Sequence, residues 1–105
     1  MLKNEYRKLI DKKKELDYEC EILWKQEAEM LSKNITETIH FLDNDCTADE
    51  FSWMSEVFDD VALATRSKEF IECLWRGSKK FPEECKKYNV LAFIKSAEDI
   101  VNDKV

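Results

Sequence analysis

Thr47-Ala48-Asp49-Glu50-Phe51-Ser52-Trp53-Met54-Ser55-Glu56-Val57-Phe58-Asp59-Asp60-Val61-Ala62-Leu63-Ala64-Thr65-Arg66-Ser67 reads as one complete helix and the start of another. Thr47 and Glu50 have the spacing of a capping box: the N-cap hydroxyl accepts a backbone N–H three residues on, and the glutamate reaches back to the N-cap N–H. Asp49 and Glu50 also put negative charge at the positive end of the helix dipole. Phe51, Met54, Phe58, Val61, Ala62 and Thr65 follow at the three- and four-residue steps of one helical face. Ser67 is a second N-cap, ahead of Phe70, Ile71, Leu74 and Ser78 on the inner side of the next helix.

The same grammar extends in both directions. Upstream, Asn34-Ile35-Thr36-Glu37 predicts another box-capped helix with Ile35, Ile39 and Leu42 inside, ending at Asp43-Asn44-Asp45. Before it, Leu2, Tyr6, Leu9, Leu16, Cys20, Leu23, Trp24, Met30 and Leu31 predict one long helix from Lys3 to Lys33. At 1.5 Å per residue such a helix is roughly 45 Å long, enough for its first turns to project beyond a small core. Downstream, Pro82 suits a helix N1 position ahead of Glu83 and Glu84, in a short turn running to about Tyr88. Asn89 is positioned to cap a last helix carrying Val90, Ile94, Ala97 and Val101. Gly77 suits either a helix end or a close packing contact. The chain of 105 residues has one Gly and one Pro, which leaves little means of making tight hairpins. Its 11% aromatic content supplies a core and argues against disorder. The expected fold is all-α: a single domain over residues 1–105, with five or six antiparallel helices, short connections and a long N-terminal helix.

Signatures of catalysis are missing from the sequence. It contains no glycine-rich phosphate loop, no HExxH and no GxSxG. The segment from Asp43 to Glu50 superficially suggests a calcium loop, but it lacks the central glycine, and a polar helix-capping linker accounts for it. Cys20, Cys46, Cys73 and Cys85 form no CxxC, and only His40 could join them around zinc, so no metal and no cofactor are expected. His40 is expected to be a partly exposed helix residue and Cys73 a buried one, which together predict a protein that is not an enzyme. The N-terminus has no apolar run for a signal peptide, and no stretch approaches a membrane span; both point to a reduced, cytoplasmic setting.

Charge is distributed in blocks. The formal net charge of -6 combines a value of +4 over residues 1–14, -12 over residues 15–60 and +2 over residues 61–105. At 100° per residue, Asp49, Trp53, Glu56 and Asp60 fall within about 60° of one another, roughly opposite the apolar face of their helix. A tryptophan inside an acidic stripe reads in two ways: a solvated acidic face whose indole is covered by a neighbouring helix, or a binding surface with the indole as anchor and the carboxylates as the steering field. Asp43, Asp45 and Asp59 extend the same negative region. Phosphate would be repelled by such a surface, so the expected partner is a basic protein, with no direct nucleic-acid contact and no membrane. The basic N-terminal stretch is expected to be a solvated helix end.

Phe41-Leu42-Asp43-Asn44-Asp45-Cys46-Thr47-Ala48-Asp49-Glu50-Phe51 and Ser67-Lys68-Glu69-Phe70-Ile71-Glu72, with the later Phe81-Pro82-Glu83-Glu84, resemble segments of small all-helical immunity proteins of bacterial contact-dependent growth inhibition and polymorphic toxin systems. The likeness runs from about Ile35 to Val101. It implies a cytoplasmic antitoxin that neutralises one cognate toxin domain by covering its active site or substrate groove; apart from the resemblance, a monomer is the expected state. Many toxins of these systems are nucleases, whose basic surfaces suit an acidic inhibitor. The alternative is a helical adaptor or regulatory interaction module with no toxin partner.

Overall fold

Thr47 opens its helix as the sequence predicts. Its hydroxyl accepts the Glu50 N–H at 3.1 Å, and the Glu50 carboxylate accepts the Thr47 N–H at 3.0 Å. Ser67 caps likewise, accepting from the Phe70 N–H at 3.0 Å, and Pro82 occupies the first turn of its helix. Asn34 accepts the Glu37 N–H at 3.2 Å, but the Glu37 side chain does not return to it: Glu37 accepts the Leu2 N–H at 2.9 Å instead. Asn89 makes no side-chain cap. Its backbone lies in the left-handed region, φ 55°, which asparagine tolerates better than most residues, and it turns the chain between two helices.

The computed structural model describes residues 2–16 and 21–103. They form α1 (Leu2–Leu16), α2 (Glu21–Lys33), α3 (Ile35–Asn44), α4 (Ala48–Met54), α5 (Phe58–Thr65), α6 (Lys68–Lys80), α7 (Pro82–Lys87) and α8 (Val90–Val101), with no strand among the described residues. A 3-10 turn, Ser55–Val57, joins α4 to α5. With α4 and α5 taken as one interrupted helix, the described residues hold seven helices, not five or six.

The additional helix comes from the N-terminal segment. The single helix from Lys3 to Lys33 is replaced by α1 and α2 lying side by side; the residues between them, with Cys20, lie outside the described residues. The Tyr6 hydroxyl donates to the Glu27 carboxylate at 2.8 Å. In one straight helix those residues would be about 30 Å apart. The reason is burial. Leu2, Tyr6, Leu9 and Ile10 on α1, and Leu23 and Leu31 on α2, are all buried, so both helices join the core and the first turns do not project. The whole molecule measures 35 × 28 × 25 Å, too short in every direction for the expected rod.

Around this pair, α5 packs along α8, and α6 along both α3 and α8. The centre is aromatic: Phe51 and Phe58 are 5.5 Å apart between ring centroids, Phe58 and Phe70 6.3 Å, and Phe51 and Phe81 5.7 Å. Gly77 lies inside α6, whose close approach to Phe51 it permits; a Cβ there would meet the Phe51 ring at 2.6 Å. Its role is close packing and not helix termination.

Candidate functional site

The positive and negative sequence blocks meet along α1, mostly at the surface, with Lys13 and Glu27 buried. Lys3 lies 3.8 Å from the Asp45 carboxylate, and Arg7 grips Glu50 with two nitrogens at 2.6 and 3.3 Å. Lys13 donates to Glu27 at 2.6 Å and to Glu56 at 2.9 Å, and Lys14 pairs with Asp49. The basic N-terminal stretch is therefore solvated only in part: Lys8 and Lys12 are exposed, while Lys3, Arg7, Lys13 and Lys14 are paired. It is docked on the acidic block, with its apolar residues beneath it.

Burial separates these contacts by consequence. Burial pushes the Glu27 carboxyl above its ordinary range, against the opposing pull of Lys13 and Tyr6. Burial, with Glu27 beside it, holds the Tyr6 hydroxyl well above the usual tyrosine value. Burial also acts to raise Glu50, but hydrogen bonds from Arg7 and Thr47 outweigh it and leave the carboxyl below its ordinary value.

The structure divides the predicted site residues. Asp43 faces α6, where Arg76 reaches its carboxylate at 3.0 and 3.2 Å and holds it below the ordinary aspartate value, and Lys80 donates to its carbonyl. Asp45 ends α3 and is engaged by Lys3 and, through its carbonyl, by Arg7. The 3-10 turn Ser55–Val57, which carries Glu56, interrupts the helix of the predicted stripe ahead of Asp60. Asp59 accepts from Ser96 of α8 at 2.9 Å. Asp60 is exposed, with no ion pair among the described residues.

Asp49, Trp53 and Glu56 remain together. They line a hollow of about 420 Å³ with Lys14, Ser52, Ser55, Tyr88 and Phe93. Trp53 is partly buried against the core, and the ammonium groups of Lys13 and Lys14 lie 5.5 and 5.7 Å from its ring centroid. Glu56 is fixed from two sides, by Lys13 and by the Trp24 indole N–H at 3.1 Å. On the other wall Tyr88 is 49% and Phe93 39% exposed, unusually open for aromatic side chains. Sequence reasoning missed both. The signal was present in α8: Val90, Ile94 and Ala97 form its buried face, which leaves Leu91 and Phe93 as apolar residues out of phase with it.

Chemistry elsewhere is muted. His40 is exposed, with its ring nitrogen 3.2 Å from the Asn44 amide. Burial pushes the Cys46 and Cys73 thiols up to about 12, aided by Glu50 and Asp43 respectively, so neither is a thiolate near neutral pH. No group of three or more His, Cys, Asp or Glu side chains among the described residues could hold a metal ion. Nor is any described helix long and apolar enough to cross a membrane. Compared with protein-family models, with curated proteins and with solved structures, the chain matches none.

Proposed function

We propose that this chain is an immunity protein: a binding protein that neutralises a basic toxin domain, a nuclease being the expected kind, through the surface centred on Trp53. The observation that carries the surface is the hollow in which Trp53, Tyr88 and Phe93 stand beside the carboxylates of Asp49 and Glu56. Open aromatic residues beside exposed carboxylates are the composition of an interface anchor with a charged surround. The partner class is drawn from the resemblance of the Phe41–Phe51 and Ser67–Glu72 segments to immunity proteins. Buried, protonated thiols and an exposed lone histidine favour binding over catalysis for this chain.

Asp60 and Asp59 lie one helix further on, at the start of α5. Asp60 is the better probe of electrostatic steering. Reversing Asp49 or Glu56 would also break contacts with Lys14, Lys13 and Trp24, whereas Asp60 makes no ion pair among the described residues. The test is co-expression with the product of the reading frame beside this chain's gene, expressed alone first to see whether it arrests growth. The expected result is relief of growth arrest and co-purification of the two proteins. Continued arrest with soluble, folded chain present contradicts the reading and leaves the adaptor role.

A further inference from the structure

The Trp53 hollow already holds a cation, and that cation belongs to the chain itself. Lys13 and Lys14 both lie over the indole, but they are not equivalent. Lys13 is buried, at 6% side-chain exposure, and is committed to Glu27 and Glu56. Lys14 is 42% exposed and its partner Asp49 59% exposed, so this pair is open to solvent and to competition. An exposed ion pair of this kind is weak, and so is an exposed cation–π contact.

We infer that the hollow is a socket for the guanidinium of an arginine presented by the partner protein, and that Lys14 is the internal cation which that arginine displaces. This rests on the proposed binding role and specifies its chemistry. Trp53, Tyr88 and Phe93 supply aromatic faces, and Asp49 and Glu56 supply carboxylate oxygens at the same hollow. A flat guanidinium can stack on an aromatic face and fork onto a carboxylate at once; a lysine ammonium, as a compact and strongly hydrated charge, does neither as well. Charge complementarity fits a basic partner. Once Lys14 is displaced, Asp49 loses this ion-pair partner, and the hollow presents the negative charge that the folded chain otherwise masks.

The test is a nuclear magnetic resonance titration of the full chain with N-acetyl-arginine amide and, separately, N-acetyl-lysine amide, read at the Trp53 indole N–H and the amides of Tyr88 and Phe93. The expected result is saturable shifts confined to those groups, with the arginine probe binding more tightly. Lys14→Met keeps the aliphatic stem and removes the competing charge, and should tighten arginine binding by about fivefold. Lys14→Gln repeats the test with a polar side chain should Lys14→Met perturb the fold. Asp49→Asn and Phe93→Ser should each weaken binding. Shifts that do not saturate, shifts spread over the acidic surface at large, or unchanged affinity on removing the Lys14 charge would overturn the socket. Equal or tighter binding of the lysine probe would overturn the guanidinium assignment. The two readings fail separately. Toxin neutralisation that survives Phe93→Ser, with no arginine binding, rejects the socket alone; saturable arginine binding without neutralisation rejects the immunity role alone.

Discussion

Lys13 is the residue on which the N-terminal pair depends. Its ammonium sits between the carboxylates of Glu27, fully buried, and Glu56, and Tyr6 completes the set through its hydroxyl. Removing one member of a buried ion pair leaves the other charge without compensation, which costs about 3–5 kcal/mol. Lys13→Met should therefore destabilise the protein by about 3 kcal/mol, measured by urea unfolding. The triple variant Tyr6→Phe/Lys13→Met/Glu27→Met removes the whole buried set, and should be less destabilised than Lys13→Met alone. If the triple variant is the less stable of the two, the set contributes net attraction and not merely compensation. None of this was legible in the sequence. Lys13 stands in a run of three lysines, and only folding α1 onto α2 distinguishes it from Lys12 and Lys14.

At the scale of the elements, helix starts were legible and helix interruptions were not. The Thr47 box, the Ser67 cap and Pro82 at the first turn are local devices, settled by residues within one turn of one another. The 3-10 turn over Ser55–Val57 and the return of α2 onto α1 are decided by distant packing, which helical periodicity does not encode. The acidic stripe shows the same limit. Periodicity draws one stripe from Asp49 to Asp60; in the structure Asp49, Trp53 and Glu56 line one hollow, and Asp60 lies beyond the 3-10 turn at the start of α5. Gly77 offers a test of packing against propensity. In an open helix interior, Gly→Ala stabilises by about 1 kcal/mol. Here the added Cβ would stand 2.6 Å from a Phe51 ring that is buried between Phe58 and Phe81. Overpacking costs about 1–3 kcal/mol, so Gly77→Ala should lower the thermal midpoint despite its better propensity. A raised midpoint would show that the ring has room to move.

For the whole molecule, charge is organised by pairing more than by excess. The basic first helix lies on the acidic block, so a formal charge of -6 understates how much opposite charge is matched internally. This arrangement gives stability two opposed responses to pH. Asp43, beside Arg76, and Glu50, where Arg7 outweighs burial, have depressed native pKa values. Their contributions are present above the ordinary values of 3.8 and 4.5, and are lost as pH falls through the native ones. Glu27 behaves oppositely. Burial raises its pKa, so the folded protein holds its proton more tightly, and stability declines as pH rises from 4.5 through the native value. Urea unfolding across this range should show that Glu27→Gln flattens the decline above 4.5, while Asp43→Asn flattens the loss at lower pH. An unchanged profile in either variant would detach that residue from the response.

What the pairing leaves open is the hollow at Trp53, and the functional account stands on it. The most direct measurement is calorimetric titration of the toxin partner captured by the co-expression test into the chain and into its Trp53→Ala variant, each confirmed as folded by its thermal midpoint. An interface anchor costs about 2 kcal/mol or more on truncation, which is roughly a thirtyfold loss of affinity. The account predicts a loss of at least that size. Equal affinities of the two folded proteins would contradict it.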